Sequence, residues 1–374
     1  MKGKIILFLD NSSTAAWRFR SACMKHLLVL GYDVVCMAPC DGCVDQIKQA
    51  GITYQALYLR RGSFNPLDDL RTCWQMFKQI KRLRPDWVFS YSIKPNMYAA
   101  LIAKCLSIPL IAVVPGAGYA FTALDVKAKL IRACYGFSLR LAREVWFLNQ
   151  DDKDDFIKLA YASPEASRVL PGEGIDAFSM ESVYKPNDHV VLGFAGRMLS
   201  DKGLQLFAEV ARRCQAEGLA VDFVLAGPID EHNPSGIDAQ LIASWEAEGI
   251  LTYKGFIDDM PAFFAGLDAL VLPSFREGMS RVLLEAAAYG LPLLASNVRG
   301  CKEIIGDALT GFLFESQSAD ALFDAIERFL LCSKDKRIAM GRAGQARVRQ
   351  YFDQGRVLDV YQEVLCQDRV ELAK

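Results

Sequence analysis

Residues 196–203 read Gly196-Arg197-Met198-Leu199-Ser200-Asp201-Lys202-Gly203 and follow directly on a continuous apolar run, Val190–Ala195. Gly196 lets backbone approach a ligand, Arg197 can grip an oxyanion with paired donors, and Lys202 supplies a compact positive charge. Two cations beside the start of a helix suit a diphosphate; a basic turn with solvated side chains is the plainer alternative. A second constellation follows the run Ala269–Leu272: Pro273-Ser274-Phe275-Arg276-Glu277-Gly278-Met279-Ser280-Arg281-Val282-Leu283-Leu284-Glu285. Glu277 falls in a strand-to-helix loop, and Glu285 in the second turn of a helix predicted over 280–289. Two carboxylates so placed could hold hydroxyl-bearing groups ~10 Å apart, as on the hexose and ribose of a nucleotide sugar. The alternative is one Glu favoured by a helix dipole and one unrelated surface Glu.

Such loops need strands to present them. Continuous apolar runs predict strands at Ile5–Leu9, 34–38, Trp87–Tyr91, Leu110–Val114 and 145–148, then at Val190–Ala195, 223–226, 251–253, Ala269–Leu272 and 293–295. Runs without alternation suit parallel strands covered on both faces, and the helical patterns between them supply right-handed crossovers. The expected fold is α/β, with two Rossmann-like doubly wound domains. The polar stretch 182–189, with Pro186 and Asn187, is the expected linker. That gives residues 1–184, 185–352 and a C-terminal helix over 353–374. In such sheets ligands bind beyond the carboxyl ends of the strands, where both constellations fall.

Composition narrows the classes. Hydrophobic residues make up 52% and charged residues 23%, enough apolar material for two cores. The most apolar stretch, 97–121, is interrupted by Lys104, Pro109, Pro115 and Gly116, so it reads as a buried helix and a strand and not as a membrane span. The run Ile5–Leu9 is too short for a signal peptide. Eleven scattered cysteines suit a reducing compartment, and Cys40-Asp41-Gly42-Cys43 lacks a second pair at zinc spacing, so it reads as a loop. The first 150 residues carry 20 Lys and Arg against 9 Asp and Glu, a balance of +11, and the remainder carries −12. A basic half faces something anionic: nucleic acid, anionic lipid or a diphosphate.

The order Gly196-Arg197…Lys202-Gly203, Gly227-Pro228, Gly255-Phe256 and Glu277-x7-Glu285 resembles the donor half of glycosyltransferase family four, retaining enzymes of the GT-B fold, over roughly 150 residues. The resemblance implies an acceptor-binding first domain and a nucleotide-sugar-binding second domain facing an interdomain cleft, whose closure expels water, with the C-terminal helix returning to the first. It implies that Arg197 and Lys202 bind the donor diphosphate without a metal and that Glu277 orients the hexose at the reacting centre. Glu285 would then hold the ribose, and the loop at Ile257 the base. Backbone N–H groups at Gly278, Met279 and Ser280 would cap the phosphates, with Gly196, Gly227 and Val282 completing the donor site.

In the first half, Asn11-Ser12-Ser13 leading to Trp17-Arg18-Phe19-Arg20, then Ser63-Phe64-Asn65-Pro66, Ser92-Ile93-Lys94-Pro95-Asn96 and Pro115-Gly116-Ala117-Gly118-Tyr119-Ala120-Phe121 resemble one branch of that family, as does Asp230-Glu231-His232-Asn233-Pro234 in the second half. That branch extends sugars on undecaprenyl diphosphate in bacterial N-glycan, O-antigen and capsule assembly, and includes an N-acetylgalactosaminyltransferase. The implied reaction moves a hexosamine such as GalNAc or GlcNAc from a UDP-sugar to a polyprenyl-diphosphate-linked saccharide, at the cytoplasmic face of the membrane. Two features depart from the family. Asn11-Ser12-Ser13 replaces a Gly-rich loop, although Ser12 and Ser13 can cap a helix whose N–H groups face a phosphate. No histidine follows a middle strand to contact the donor sugar, so the loop 115–119 is expected to offer that surface with backbone groups; Lys94, Gly116 and Gly118 are expected on the acceptor or phosphate side.

A helix predicted over 126–143 sets Lys129, Arg132, Arg140 and Arg143 on one face, which suits an anionic membrane surface; ordinary solvation is the alternative. Arg71, Lys78 and Arg82 form a similar row. No nucleic-acid module or stacking pattern is present. Three other readings compete: a transferase acting on a small soluble acceptor, a sugar-nucleotide epimerase, and a two-lobed solute-binding protein. The Glu pair disfavours the epimerase. The solute-binding protein would need an export signal.

Overall fold

A computed structural model describes residues 3–60, 65–116, 121, 125–230, 233 and 235–371, with backbone only for 367–371. The chain divides into two compact units, residues 1–173 with 354–374, and residues 174–353.

The first unit is built on seven strands: β1 (Ile5–Leu9), β2 (Asp33–Ala38), β3 (Thr53–Ala56), β4 (Trp87–Tyr91), β5 (Leu110–Val114), β6 (Glu144–Phe147) and β7 (Ser167–Val169). They pair in the order β3-β2-β1-β4-β5-β6-β7, and every pairing is parallel. The connecting helices are α1 (Ser13–Val29), α2 (Val44–Gln49), α3 (Pro66–Leu83), α4 (Ile93–Leu106), α5 (Val126–Leu139) and α6 (Gln150–Lys158). α4 and β5 take up most of the apolar stretch 97–121, and α4 packs against both α3 and α5. Among the described residues no helix is long and apolar enough to cross a membrane.

The second unit has six strands: β8 (Val190–Ala195), β9 (Val221–Ala226), β10 (Thr252–Tyr253), β11 (Ala269–Leu272), β12 (Leu293–Ser296) and β13 (Gly311–Phe314). Their order is β10-β9-β8-β11-β12-β13, again wholly parallel. The helices are α7 (Leu204–Ala216), α8 (Ala239–Ala247), α9 (Met260–Ala265), α10 (Arg281–Ala288), α11 (Ala319–Leu330) and α12 (Lys334–Tyr351). In both sheets the order reverses beside the first strand of the unit, β1 or β8, the doubly wound signature that leaves a crevice at the strands' carboxyl ends.

The division falls at 173/174 and not at 184/185. Ile175 and Ala177 belong to the second unit's core, Ile175 N donates to Phe352 O (3.2 Å), and Val183 N to Tyr289 O (3.1 Å). Asn187, in the stretch read as a linker, is pinned by the fully buried Asp268 through N–H bonds of 3.1 and 2.9 Å. Helix α13 (Gln354–Glu371) belongs to the first unit and packs on α1. Its Tyr361 hydroxyl lies 2.6 Å from that of Tyr91, and its ring joins Phe8, Phe89 and Trp146 in one aromatic cluster.

Candidate functional site

The loop after β8 and the loop after β11 meet through their backbones. A single 3-10 turn, Ser200–Lys202, precedes α7, and Gly203 between them sits at φ +75° with no room for a Cβ against the Pro273 carbonyl. Phe275 N donates to Asp201 O (2.9 Å). These ties bring Lys202 Nζ to 2.6 Å from Glu277 Oε1, and Ser274 Oγ donates to the same oxygen at 2.8 Å. The pair is sheltered, with side chains 22% and 10% exposed. Lys202 therefore stands just ahead of the helix, which begins at Leu204.

Arg197 is more open, 58% exposed, and its Nη1 reaches Asp230 Oδ2 at 3.3 Å. Asp230 lies beyond β9 in a loop laced to residues 198–200: Met198 N donates to Pro228 O, Ile237 N to Met198 O and Ser200 N to Ser235 O. Gly196 and Gly227 face each other so closely that a Cβ on Gly227 would strike the Gly196 carbonyl. Gly227 is further tied by its N–H to Gly255 O (2.7 Å) and by Tyr253 Oη donating to its carbonyl (2.7 Å). Each cation thus has a carboxylate from another loop, so an anionic ligand must compete with Asp230 and Glu277 for them.

Ile257, Met279 and Val282 pack half-buried on the second unit's core. Glu285 lies in the second turn of α10 and accepts from Arg281 Nε at 2.7 Å, one helical turn back. Ser280 departs from expectation: its N–H donates to Gly300 O (2.9 Å), so it is engaged within the protein and does not face a phosphate. Gly300, at φ +76°, leaves no room for a Cβ against Glu277 and Gly278, and its N–H donates to Glu303 Oε2 at 2.8 Å. Burial, followed by the Glu277 charge, pushes the neighbouring Cys301 thiol well above its usual range, so it stays protonated. Ser274, Asp230 and Gly300 went unmarked as site residues. The loop after β12 ends a strand just as the loops after β8 and β11 do, and that position is the signal that could have found Gly300.

The first unit's candidates do not converge as expected. Ser12 caps α1 by accepting from Ala15 N (3.1 Å). Ser13 N donates to Pro39 O (3.2 Å), and two further donors turn to Asp41: Ser13 Oγ donates to its Oδ1 (2.8 Å), as does Thr14 N (3.2 Å). The protein's own carboxylate thus occupies the helix start that was expected to face a phosphate, and it does so from the Cys40–Cys43 loop. Lys94 Nζ donates to Asp69 Oδ1 (2.7 Å) and Arg60 O (3.3 Å), mostly buried, so its charge is matched within the unit. It follows Ser92, held at φ +73° and ψ 163°, a region disfavoured for any residue with a Cβ. The buried Asn96 braces that turn through Ser90 Oγ, Val113 O and Tyr135 Oη. Gly116 is half-buried after β5; Gly118, Ser63, Phe64, Glu231, His232 and Pro234 lie outside the described residues.

The basic row over 126–143 also needs correction. α5 stops at Leu139, and Arg143 turns its guanidinium over the Trp87 ring at 5.0 Å, so the four cations do not share one helical face. Among the described residues no three His, Cys, Asp or Glu side chains gather as a metal site requires.

Comparison with known proteins agrees with this architecture. Residues 189–331 match the family described as glycosyl transferases group 1, and residues 15–172 the glycosyl transferase 4-like domain. The chain is 26% identical over 358 residues to the N,N'-diacetylbacillosaminyl-diphospho-undecaprenol alpha-1,3-N-acetylgalactosaminyltransferase of Campylobacter jejuni, covering 91% of this chain and 92% of that protein. It is 26% identical to the UDP-Gal:alpha-D-GlcNAc-diphosphoundecaprenol alpha-1,3-galactosyltransferase of Escherichia coli, with 70% of each covered. Among solved structures, Anabaena HepE in complex with UDP and glucose superposes with a TM-score of 0.79 at 20% identity, covering 97% of this chain and all of that one. With two parallel-sheet Rossmann-like units and both halves of the chain matched, the protein belongs to the family-four glycosyltransferases of the GT-B fold.

Proposed function

We propose that the protein transfers a hexosamine such as GalNAc or GlcNAc from a UDP-sugar to an undecaprenyl-diphosphate-linked saccharide, with retention at the anomeric carbon, in cell-surface polysaccharide or glycoprotein glycan assembly. The observation that carries this reading is the placing of Arg197 and of the Lys202–Glu277 pair in the loops at the carboxyl ends of β8 and β11. Breaking the glycosidic bond to the donor builds charge on the departing diphosphate. Arg197 and Lys202 stabilise that charge, exchanging Asp230 and Glu277 for phosphate oxygens. Glu277, oriented by Ser274, takes the hexose hydroxyls. Glu285 takes the ribose, and the loop at Ile257 the base. The named activities of the Campylobacter and Escherichia relatives, which cover most of the chain, support the lipid-linked acceptor. The enzyme works as a peripheral protein on the cytoplasmic face, with Lys129, Arg132 and Arg140 of α5 and its C-cap drawing the basic first unit toward anionic lipid.

The test is a radiolabel assay in mild detergent with a panel of UDP-sugars and a short-chain polyprenyl-diphosphate N-acetylhexosamine. Label should enter the organic phase with one donor, and Glu277→Gln should lower the rate by about 10²–10³-fold. Turnover only with a water-soluble acceptor would sink the lipid-linked reading in favour of a soluble transferase.

A further inference from the structure

Helix α3 is apolar on two opposite sides. Thr72, Met76 and Ile80 face the core, as its place over the sheet demands. On the far side, Leu67, Leu70 and Trp74 are 75%, 67% and 59% exposed, at a spacing of three and four residues that keeps them in one row. An 18-residue helix gains nothing in water from a second apolar stripe. The cations around the stripe give it a purpose. Arg71, Lys78, Lys81 and Arg82 fall on the same side by helical period, and three of them lie over rings: Arg71 over Tyr58 (4.5 Å), Lys78 over Trp74 (4.7 Å) and Lys81 over Phe77 (5.7 Å). The helix's acids are matched inside the unit, Asp68 by Tyr58 and Arg60, and Asp69 by Lys94. The outward side therefore presents apolar bulk within a ring of positive charge.

The neighbouring helices of the same layer repeat the pattern. α4, which touches α3 and α5, exposes Leu101 beside Lys104, and α5 exposes Val126, Leu130 and Phe137 beside Lys127 and Lys129.

We infer that the α3 face docks on an anionic lipid bilayer, with Leu67, Leu70 and Trp74 entering the headgroup–acyl boundary and Arg71, Lys78, Lys81 and Arg82 pairing with lipid phosphates. Charge complementarity selects this occupant, since a polyanion without an apolar phase leaves the stripe in water and a neutral apolar partner strips the cations of theirs. The inference goes beyond the proposed reaction by naming an inserting element, and it stands or falls separately from that reaction. It also differs from attraction through α5 charges alone, because a buried apolar stripe resists salt whereas surface charge does not.

The test uses the purified full chain with vesicles of phosphatidylcholine alone and of phosphatidylcholine with about one-third phosphatidylglycerol, followed by co-sedimentation and tryptophan emission. Trp74 is far more exposed than Trp87, Trp146 or Trp245, so insertion should shift emission to the blue and shield it from iodide. Binding should need the anionic lipid and survive in part at high salt. Each Lys78→Gln or Arg82→Gln change should weaken it about fivefold, and Leu67→Ser with Leu70→Ser and Trp74→Ser more than about tenfold. Circular dichroism confirms that the variants fold. Transfer to the short-chain acceptor in detergent should be unchanged in the triple variant, so its loss in the wild type would count against the proposed reaction and not against docking. Wild-type vesicle binding by the triple variant would overturn the inference, as would binding indifferent to lipid charge. Capture of the face by nucleic acid, or a dimer that the triple variant dissolves, would reassign it.

Discussion

Glu277 has Lys202 Nζ and Ser274 Oγ on one oxygen, so its carboxylate is held in one orientation by protein groups. Arg20 is a charge matched wholly inside the first unit. It is 3% exposed, paired with Glu173 and with Asp10 (3.8 Å), and stacked 4.0 Å from the centre of the Tyr91 ring. Burial alone would lower its pKa, but the two carboxylates outweigh that and raise it, so it remains charged. Truncation to Leu strands both acids in low dielectric. Arg20→Leu should cost about 3–5 kcal/mol in urea unfolding, with Arg20→Lys recovering part of it. An unchanged midpoint would mean that the pairs contribute nothing.

At the scale of elements, the contact between the β8 and β11 loops rests on Gly203. Ala there would need a left-handed backbone and would drive its Cβ into the Pro273 carbonyl. Gly203→Ala should cost about 1–3 kcal/mol and slow transfer by separating Lys202 from Glu277. A variant that melts and turns over like the wild type would refute this dependence. The central strands could be read from the sequence because strands buried on both faces are continuous apolar runs, β1, β4, β5, β8 and β11 among them. β3 and β7 could not, and both are edge strands; β13 is mostly buried and apolar but short and led by Gly311, so it does not stand out as a run. β3 is half solvated, as its pattern of Thr53, Tyr54, Gln55 and Ala56 shows. The candidate site was legible in its residue types and not in their partners. Residue types and their place after strands single out Arg197, Lys202 and Glu277. The partners that define their state, Asp230 for Arg197 and Asp41 for Ser13, come from loops 33 and 28 residues away, which no local period encodes.

Over the whole molecule, charge and thiol burial set how the protein answers to pH. Burial pushes the thiols of Cys23 on α1 and Cys36 on β2 up to about 12. In the unfolded chain a thiol titrates near ~8.5. The folded state holds these protons longer, so the stabilisation is complete below pH ~8.5 and is lost as pH rises toward 12. Each thiol should lower stability by ~1.4 kcal/mol per pH unit across that window. Urea midpoints at pH 8, 9 and 10 would show the decline, and Cys23→Ala with Cys36→Ala should make it shallower, the buried Cys214 and Cys301 thiols keeping the rest; an equal slope in the double variant would place the alkaline sensitivity elsewhere.

The return of α13 to the first unit also orders synthesis. A ribosome delivers β1 through β7 early, yet Tyr361, which completes the aromatic cluster of Phe8, Phe89 and Trp146, is made only after residues 174–353. The second unit is continuous and can close its core as it emerges. The first waits with part of that cluster uncovered for roughly 10–40 s at ~5–20 residues per second. A nascent chain of this protein is thus most exposed to aggregation, and most in need of a chaperone, in the half that was made first.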